Sequence, residues 1–298
     1  MQNSLAIVGA GRVGRALGRR FRELGWKIGA VVTRKETNAR KAVRFIGAGR
    51  PHTGVSRAVL ASRVILIATP DDEIAAVAQD LARVGGAELR GRAVLHTSGA
   101  QSSGVLGILK TYGASVGSLH PLQSFSGVSV PSLEGRLFAV EGDTQAVRVA
   151  RQMARALGGS PVRIAAEKKT LYHAAAAMAA GHVLAVDEAA TQLLVSLGMK
   201  RNEAVRALVP LTRQVLENYE RLGPRAAWTG PLSRGDFKVV RAHLDALLAS
   251  PGEFAHAYES LSCLAARVLS QDPAAMLADL EKTSLEVKSK AKATGGNS

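Results

Sequence analysis

A glycine fingerprint near the first residues constrains this chain more than any other feature. Three glycines with GxGxxG spacing follow an apolar run from Leu5 to Val8, and an Arg-rich stretch with helical spacing comes next. In such a strand-turn-helix unit the glycines permit a tight turn, close approach of a pyrophosphate and close helix packing, while the helix N-terminus offers free N–H groups. This context predicts a dinucleotide-binding turn rather than a plain turn. The predicted cofactor contacts here are Gly9, Gly11, Arg12, Val13 and Gly14.

The rest of the N-terminal half alternates short apolar runs with turn or helix signals. This alternation predicts an α/β fold in which helices pack on a mostly parallel sheet. The predicted strands are Leu5–Val8, Ile28–Thr33, Val64–Ala68, Ala93–His96, Ser115–Leu119, Leu137–Val140 and Val162–Ala165.

The pattern changes after residue 165. Residues 167–197 contain no proline and a single glycine, and they are rich in Ala and Leu, which predicts one long helix. Asn202, Asp236 and Asp272 are predicted N-caps of later helices. We therefore predict a sheet domain over 1–165, an all-helical domain over 166–286 and a disordered tail over 287–298.

Charge is concentrated in one part of the chain. The formal net charge is +15, and residues 1–66 hold 14 Lys or Arg with only two acidic residues. At the end of the second strand, where an NAD site places an acid, this chain has Thr33, Arg34 and Lys35. These groups would bind a 2′-phosphate that a carboxylate would repel, so we predict NADP(H) rather than NAD(H). Arg12 would add to the same phosphate environment, whereas Arg40, Lys41 and Arg44 are interpreted as a solvated face.

The third predicted strand ends in an Ala-Thr-Pro turn, formed by Ala68, Thr69 and Pro70. Small residues and a rigid turn at the carboxyl edge of an open α/β sheet are typical of a ligand site, so these three are also predicted cofactor contacts. Asp71 or Asp72 is interpreted as a cap of the following helix.

Several later motifs resemble those of a known group. They are Leu95–Ala100, Gly117–Phe125, Tyr172–Ala176 and Trp228–Asp236. With the fingerprint, they resemble a bacterial family that has a Rossmann-like N-terminal domain and a C-terminal helical domain without a settled function. That family is similar to pyrroline-5-carboxylate reductases, NADP-dependent deazaflavin reductases and 6-phosphogluconate-dehydrogenase-like proteins. The resemblance implies a doubly wound Rossmann sheet, an NADP-linked oxidoreductase-like fold and a homodimer formed through the helical domains.

A looser similarity concerns two strand ends. Prephenate dehydrogenases also end successive late strands with a serine-bearing turn and a His-Pro turn, and their histidine hydrogen-bonds the substrate hydroxyl; the matching residues are Ser98 and His120. The Leu-Gln-Ser-Phe continuation departs from their pattern, so prephenate itself is not implied. Hydride transfer to C=O or C=N requires a proton donor, and the ordinary pKa of an imidazole suits that task. His120 is thus the predicted proton relay, with Ser98 as its polar partner; a His-Pro pair that only closes a turn is the alternative.

The long helix supplies further candidates. Lys169 and His173 are four residues apart and share a face. Similar hydroxyacid dehydrogenases present a Lys and, four residues on, an Asn to the substrate from this helix; Lys169 matches the Lys, but His173 stands in place of the Asn, so their mechanism does not transfer directly. An ammonium and an imidazole on one face could hold an anionic substrate and donate a proton, so Lys169 is a predicted catalytic residue and His173 a predicted substrate contact. Lys168 and Lys169 as solvated first-turn residues are the alternative. Gly181 occupies the position where many members of the resembled family carry Asn, and it predicts close approach of another backbone or a ligand.

The loop Thr229–Asp236 lies between helices. Thr229 is predicted to hydrogen-bond a substrate heteroatom, as a threonine does in a similar loop of pyrroline-5-carboxylate reductases, and Arg234 to pair with a substrate carboxylate. An interhelical turn is the alternative.

Together these features predict an NADP(H)-dependent oxidoreductase acting on a small anionic imine or carbonyl. The alternative is a non-catalytic NADPH-binding redox sensor or scaffold. The single cysteine, Cys263, excludes an internal disulfide and a cysteine-based zinc site, so we predict a cytoplasmic protein without a metal. A low aromatic content of 4% argues against nucleic-acid binding, and the longest apolar run is too short for a membrane span.

Overall fold

The computed structural model describes residues 3–250 and 253–295. It divides into two compact units, Met1–Gly181 and His182–Ser298. The first unit therefore extends beyond the domain end predicted at residue 165 and includes the first part of the long helix.

The first unit is built on an eight-stranded sheet with the order β3-β2-β1-β4-β5-β6-β7-β8. All neighbouring strands pair in parallel except β6 and β7, which are antiparallel. This order is that of a doubly wound Rossmann sheet with added strands at one edge, so the predicted fold class is confirmed. The strands are β1 (Ser4–Val8), β2 (Lys27–Thr33), β3 (Arg50–Thr53), β4 (Val64–Ile67), β5 (Ala93–His96), β6 (Ser115–Pro121), β7 (Leu137–Gly142) and β8 (Ser160–Arg163).

Helices of this unit connect the strands and bury their apolar faces on the sheet. The central strands β1, β4 and β5 are buried along their whole length, because helices pack on both faces of a parallel sheet. Two hydrophobic clusters, one on each face, form the core. The helices are α1 (Arg12–Glu23), α2 (Glu36–Ile46), α3 (Ile74–Gly85), α4 (Thr144–Ala156) and α5 (Lys169–Ala177).

The predicted long helix contains a π turn, Met178–His182, between α5 and α6 (Val183–Ser196). Gly181 lies in this turn and is exposed, and a Cβ built on it would meet nothing within 4 Å among the described residues. The described residues thus show no close approach of backbone at Gly181, and approach of a ligand stays a prediction.

The second unit is helical. Asp236 and Asp272 accept hydrogen bonds from backbone N–H groups of the helices that follow them, which confirms both predicted caps. The predicted N-cap at Asn202 is wrong, because α7 begins at Arg201 and its N-cap is Lys200. Beyond α6 the helices are α7 (Arg201–Leu222), α8 (Pro224–Ala227), α9 (Phe237–Leu248), α10 (Phe254–Leu269) and α11 (Pro273–Gly295).

The predicted tail is corrected by α11, which continues to Gly295. Val287 is buried against the core of this unit, and Lys288 forms an ion pair with Glu259. These contacts hold a segment whose composition alone suggested disorder from residue 287; residues 296–298 lie outside the described part of the chain. No helix in the described residues combines the length and the apolar character needed to cross a membrane.

Candidate functional site

The glycine turn lies at the carboxyl ends of β1 and β4. Gly9 has φ +91°, a conformation that favours glycine, and a Cβ there would lie 2.6 Å from the backbone of Ala68 and Thr69. A Cβ at Gly14 would lie 2.2 Å from the Gly9 carbonyl oxygen, whereas one at Gly11 would meet nothing within 4 Å. Two of the glycines are thus required by packing, and the third leaves an open approach to the N-terminus of α1.

This turn borders a cleft of about 930 Å³. Nine of the predicted cofactor contacts line it, and they are Gly9, Gly11, Arg12, Thr33, Arg34, Lys35, Ala68, Thr69 and Pro70. Val13 and Gly14 do not line the cleft; Gly14 is buried beneath Gly9. Asn38 and Lys41 also line it, so Lys41, interpreted from the sequence as part of a solvated face, stands beside the predicted phosphate site. The sequence could have indicated this place for Lys41, because Lys41 lies about one and a half turns into the helix that follows Lys35.

Two features suit this cleft to an extended anionic ligand. α1 starts at Arg12 with no side-chain cap, so its first N–H groups are free to face a phosphate. The Thr69 hydroxyl is buried and has no hydrogen-bond partner among the described residues. Arg34 forms an exposed ion pair with Glu73 across the cleft, 3.2 Å between Nη1 and Oε1, which a ligand phosphate would have to replace.

A second group of polar side chains lies at the ends of β5 and β6. These strands pair in parallel beside β4, so their carboxyl ends meet at the same edge as Thr69. Ser98 lies two residues after the end of β5, is buried, and donates a hydrogen bond from Oγ to the Asp71 carboxylate at 2.6 Å. Asp71 therefore ties the β4 turn to the β5 turn, and the structure does not use it as the helix cap that the sequence suggested.

Lys169 is 1% exposed and points into this edge. Its ammonium donates to the Ser98 carbonyl oxygen at 3.0 Å and to the Ser118 hydroxyl at 2.7 Å. Burial lowers the pKa of Lys169 to about 8, and the charges of Glu141 and Asp71 oppose that shift. The solvated-lysine alternative is thus excluded for Lys169, while Lys168 is exposed.

His120 lies in β6 and is partly buried. Its Nδ1 is 2.8 Å from the hydroxyl of Tyr172, and its ring contacts that of His173 edge-on, with centroids 5.7 Å apart. Burial lowers the pKa of His120 to about 4, with further lowering by His173 and Lys169, so the imidazole is neutral at pH 7. Ser98 is predicted as the partner of His120, but its hydroxyl is bonded to Asp71 instead.

His96 is fully buried at the end of β5. Its Nδ1 accepts a hydrogen bond from the backbone N–H of Ser98 at 3.2 Å. Burial, with a smaller contribution from Lys169, lowers the pKa of His96 to about 3. It stabilises the Ser98 turn as a neutral group.

The structure brings together His120, Ser98, Lys169 and His173 within the first unit. Thr229 and Arg234 belong to the second unit, where both are exposed. Tyr172 was not among the predicted site residues, although its spacing of three from Lys169 placed it on the neighbouring side of the same helix. In the described residues no cluster of three or more His, Cys, Asp or Glu side chains is arranged to hold a metal ion.

Two family models match the chain in series. Residues 1–121 match a Rossmann-like domain, and residues 136–264 match a domain of unknown function, DUF2520. The chain combines a Rossmann-like domain with a DUF2520 domain. The Rossmann-like domain holds the cleft and the ends of β5 and β6, whereas Lys169, Tyr172 and His173 come from the DUF2520 segment. These matches confirm the resemblance to a family with a Rossmann-like N-terminal domain and a C-terminal domain without a settled function.

Solved structures share the fold over most of their length. A putative NADP oxidoreductase from Bacteroides fragilis has 21% identity and a TM-score of 0.70, covering 88% of this chain and 96% of its own. A reductive aminase from Aspergillus terreus, in complex with NADPH and ethyl-5-oxohexanoate, has 18% identity and a TM-score of 0.62, covering 97% and 95%.

A third solved structure is the pyrroline carboxylate reductase of Plasmodium falciparum with NADP bound. It has 13% identity and a TM-score of 0.55, and the match covers 96% of this chain and 97% of that one. At these identities the three likenesses establish the fold. Among curated proteins no sequence matches the chain.

Proposed function

We propose that this protein is an NADP(H)-dependent oxidoreductase that reduces a small anionic imine or carbonyl, or catalyses the reverse oxidation. The observation that carries the proposal is the cleft, in which a glycine cradle, an uncapped helix N-terminus and a cationic strand end lie along one sheet edge. The names of the three solved neighbours, which are an NADP oxidoreductase, an NADPH complex and an NADP complex, support the same cofactor.

The 2′-phosphate would lie at the end of β2. Thr33, Arg34 and Lys35 are at this end of the cleft, and Lys41 adds a cation from α2. Guanidinium and ammonium groups make strong, charge-assisted hydrogen bonds to phosphate. The competing ion pair of Arg34 with Glu73 is exposed on both sides and is worth at most about 1 kcal/mol, so a phosphate can replace it.

The bound nicotinamide would supply or accept the hydride. The chain's own contribution is a proton at the substrate heteroatom, and His120 is the group proposed to hold it. A neutral imidazole suits this role because it can donate an N–H bond to an oxygen or nitrogen as negative charge develops there.

Lys169 and Ser98 act on the reaction indirectly in this proposal. Both are buried, and their hydrogen bonds fix the turn after β5 against Asp71 and Ser118. We assign them as positioning residues. Burial is the main reason that the pKa of His120 is low, and the positive charge of Lys169 adds to that effect because it disfavours a second positive charge nearby.

His173 is the proposed substrate contact in the first unit, because it is partly buried beside His120. Thr229 and Arg234 are retained as proposed contacts of the substrate heteroatom and carboxylate. Their exposure leaves both side chains available to a ligand. The word pyrroline carboxylate in one neighbour's name describes a small anionic imine, which supports this substrate class.

The test is NADPH oxidation, followed at 340 nm, with a panel of cyclic imino acids and keto acids. His120→Asn should lower kcat by about a hundredfold, the lower range for a general acid, with the Kd for NADPH unchanged. Unimpaired turnover would remove His120 from the proposal. Tight NADPH binding without turnover on any panel member or pooled metabolites would favour the sensor alternative.

A second copy of this chain is the proposed partner, joined through the helical unit. α6 and α7 pack against each other, and large apolar side chains on these helices and at the C-cap of α6 are exposed, including Leu184 at 68%, Leu197 at 79% and Leu211 at 62%. Exposed apolar surface of this kind is typical of an interface. Light scattering should show a dimer that L211R dissociates and that L24R, a matched change at an exposed leucine of the first unit, does not. A monomeric wild-type protein would contradict the proposal.

A further inference from the structure

Helix α5 holds the imidazole of His120 from two sides. The Tyr172 hydroxyl lies 2.8 Å from Nδ1, and the Tyr172 ring stands edge-on to the imidazole at 5.6 Å between centroids. The ring of His173 makes a second edge-on contact at 5.7 Å. The orientation of His120 is therefore set by two consecutive residues of one helix.

Gly99 makes room for this arrangement on the other side. A Cβ at Gly99 would lie 2.4 Å from Cδ2 of His173 and 2.9 Å from Nε2 of His120. No side chain can occupy this position without moving both imidazoles. The Nε2 edge of His120 therefore lies against bare backbone, on the part of the ring away from Tyr172.

The hydrogen bond between Tyr172 and His120 has a preferred direction. A phenol is a stronger proton donor than a neutral imidazole N–H, and an imidazole nitrogen is a stronger acceptor than a phenol oxygen. Burial raises the pKa of Tyr172 to about 12, so the phenol stays protonated. The O–H of Tyr172 therefore donates to Nδ1, and the ring hydrogen of neutral His120 is on Nε2.

The groups that face His120 support a neutral ring. Burial lowers the pKa of His120 most, and His173 and Lys169, which approach from α5, lower it further. His96, from β5, is itself neutral because burial holds its pKa at about 3. Asp71 and Glu141 act on Lys169 and keep that ammonium charged.

We propose that Tyr172 is a positioning residue that fixes His120 in the Nε2–H tautomer, and that the lack of a side chain at the buried Gly99 leaves the room that the Nε2 edge of this ring needs. The catalytic part of this proposal rests on the proposed function, whereas the tautomer is a property of the protein alone.

The proton balance of the step is complete. With NADPH bound, a hydride delivered to the substrate carbon would leave negative charge on the heteroatom, which would take the proton of Nε2–H as that bond breaks. The phenolic proton of Tyr172 moves to Nδ1, which keeps the imidazole neutral. The resulting phenolate regains a proton from water, and oxidation runs the same transfers in reverse.

The test is NMR of the full chain labelled with ¹⁵N-histidine, with the His120 signals assigned by their loss in H120Q. We expect a protonated Nε2 and an unprotonated, hydrogen-bonded Nδ1 from pH 8 down to about pH 5. Y172F should move the Nδ1 signal and mix the tautomers. In turnover it should lower kcat about five- to tenfold, the value of one hydrogen bond, with the Kd for NADPH unchanged.

The chain supplies a matched control. Tyr258 lies 3.0 Å from Nδ1 of His243 in the second unit, with the same edge-on ring geometry at 5.8 Å. Y258F should change the signals of His243 and leave those of His120 and the turnover unchanged.

A second variant, G99A, should shift the signals of both His120 and His173 without loss of NADPH binding. A wild-type His120 protonated on Nδ1, or His120 signals that Y172F leaves in place, would overturn the proposal. Absence of turnover with the expected NMR result would instead contradict the proposed function.

Discussion

Replacement of Lys169 by methionine tests the electrostatics of the site through stability alone. The ordinary lysine pKa of 10.5 is lowered to about 8 in the folded chain. Since a tenfold change in proton affinity is worth about 1.4 kcal/mol, this difference corresponds to about 3 kcal/mol. Methionine keeps most of the buried stem and removes the charge.

The sign follows from proton linkage. Below pH 8 Lys169 is protonated in the folded and the unfolded chain, so it adds no pH dependence. Between about pH 8 and 10.5 the unfolded chain binds the extra proton, and the unfolding free energy must rise with pH. The wild type should therefore gain up to about 3 kcal/mol relative to K169M across this window.

At pH 7 the two proteins should be closer in stability. K169M leaves the Ser98 carbonyl and the Ser118 hydroxyl without their donor, at about 1–3 kcal/mol for each buried group, while it relieves the cost of the buried charge. The two effects oppose each other.

The measurement is urea unfolding at pH 7, 8, 9, 10 and 10.5 in a W228F background. Trp26 is then the single tryptophan, and its ring lies 4.7 Å from that of Phe21 in the first unit, so its fluorescence reports on the unit that contains Lys169. A difference between wild type and K169M that does not change with pH would refute the reasoning.

Three further results are expected. R34A should raise the Kd for NADPH about tenfold or more, the value of a charge-assisted hydrogen bond, with little change in the Kd for NADH. R40A should change neither Kd, and calorimetry measures the binding of both cofactors. An equal loss of affinity for NADPH and NADH in R34A would contradict the 2′-phosphate assignment. G14A should abolish NADPH binding or unfold the first unit, because its Cβ would lie 2.2 Å from the Gly9 carbonyl oxygen, and unchanged binding by a folded G14A would count against the glycine cradle. As the pH falls below 6.5, His120 takes up a proton in the unfolded chain but stays neutral in the folded chain until about pH 4, so the unfolding free energy should fall by up to about 3 kcal/mol. H120Q should lose less stability over this pH range than the wild type. An equal fall of the unfolding free energy in the two proteins would contradict the low pKa of His120.

The glycine turn could be predicted from the sequence because its requirements are local. A strand, three spaced glycines and a helix fix the backbone path within a few residues, and the structure gives each outer glycine the packing role that the motif predicts. Apolar runs placed six strands to within two residues for the same reason, whereas the last prediction, Val162–Ala165, lies two residues too late, because β8 begins at Ser160. β3 was missed, because Arg50–Thr53 is short, carries a proline and is mostly exposed.

The second polar group could be predicted only in part. Helical spacing put Lys169 and His173 on one face, but the direction of that face depends on how α5 packs on the sheet. In the structure the ammonium of Lys169 is buried and donates to the Ser98 carbonyl and the Ser118 hydroxyl, contacts that helical spacing could not predict. Tyr172 was missed because its value lies in a contact with His120, and no local pattern reports a pair that distant in the chain.

The cofactor claim is tested most directly by the affinity of the wild-type protein for NADPH and for NADH at one fixed salt concentration. The cationic end of β2 and the glycine cradle predict that NADPH binds at least tenfold more tightly. Equal or tighter binding of NADH would contradict the account, and so would a failure of both cofactors to bind.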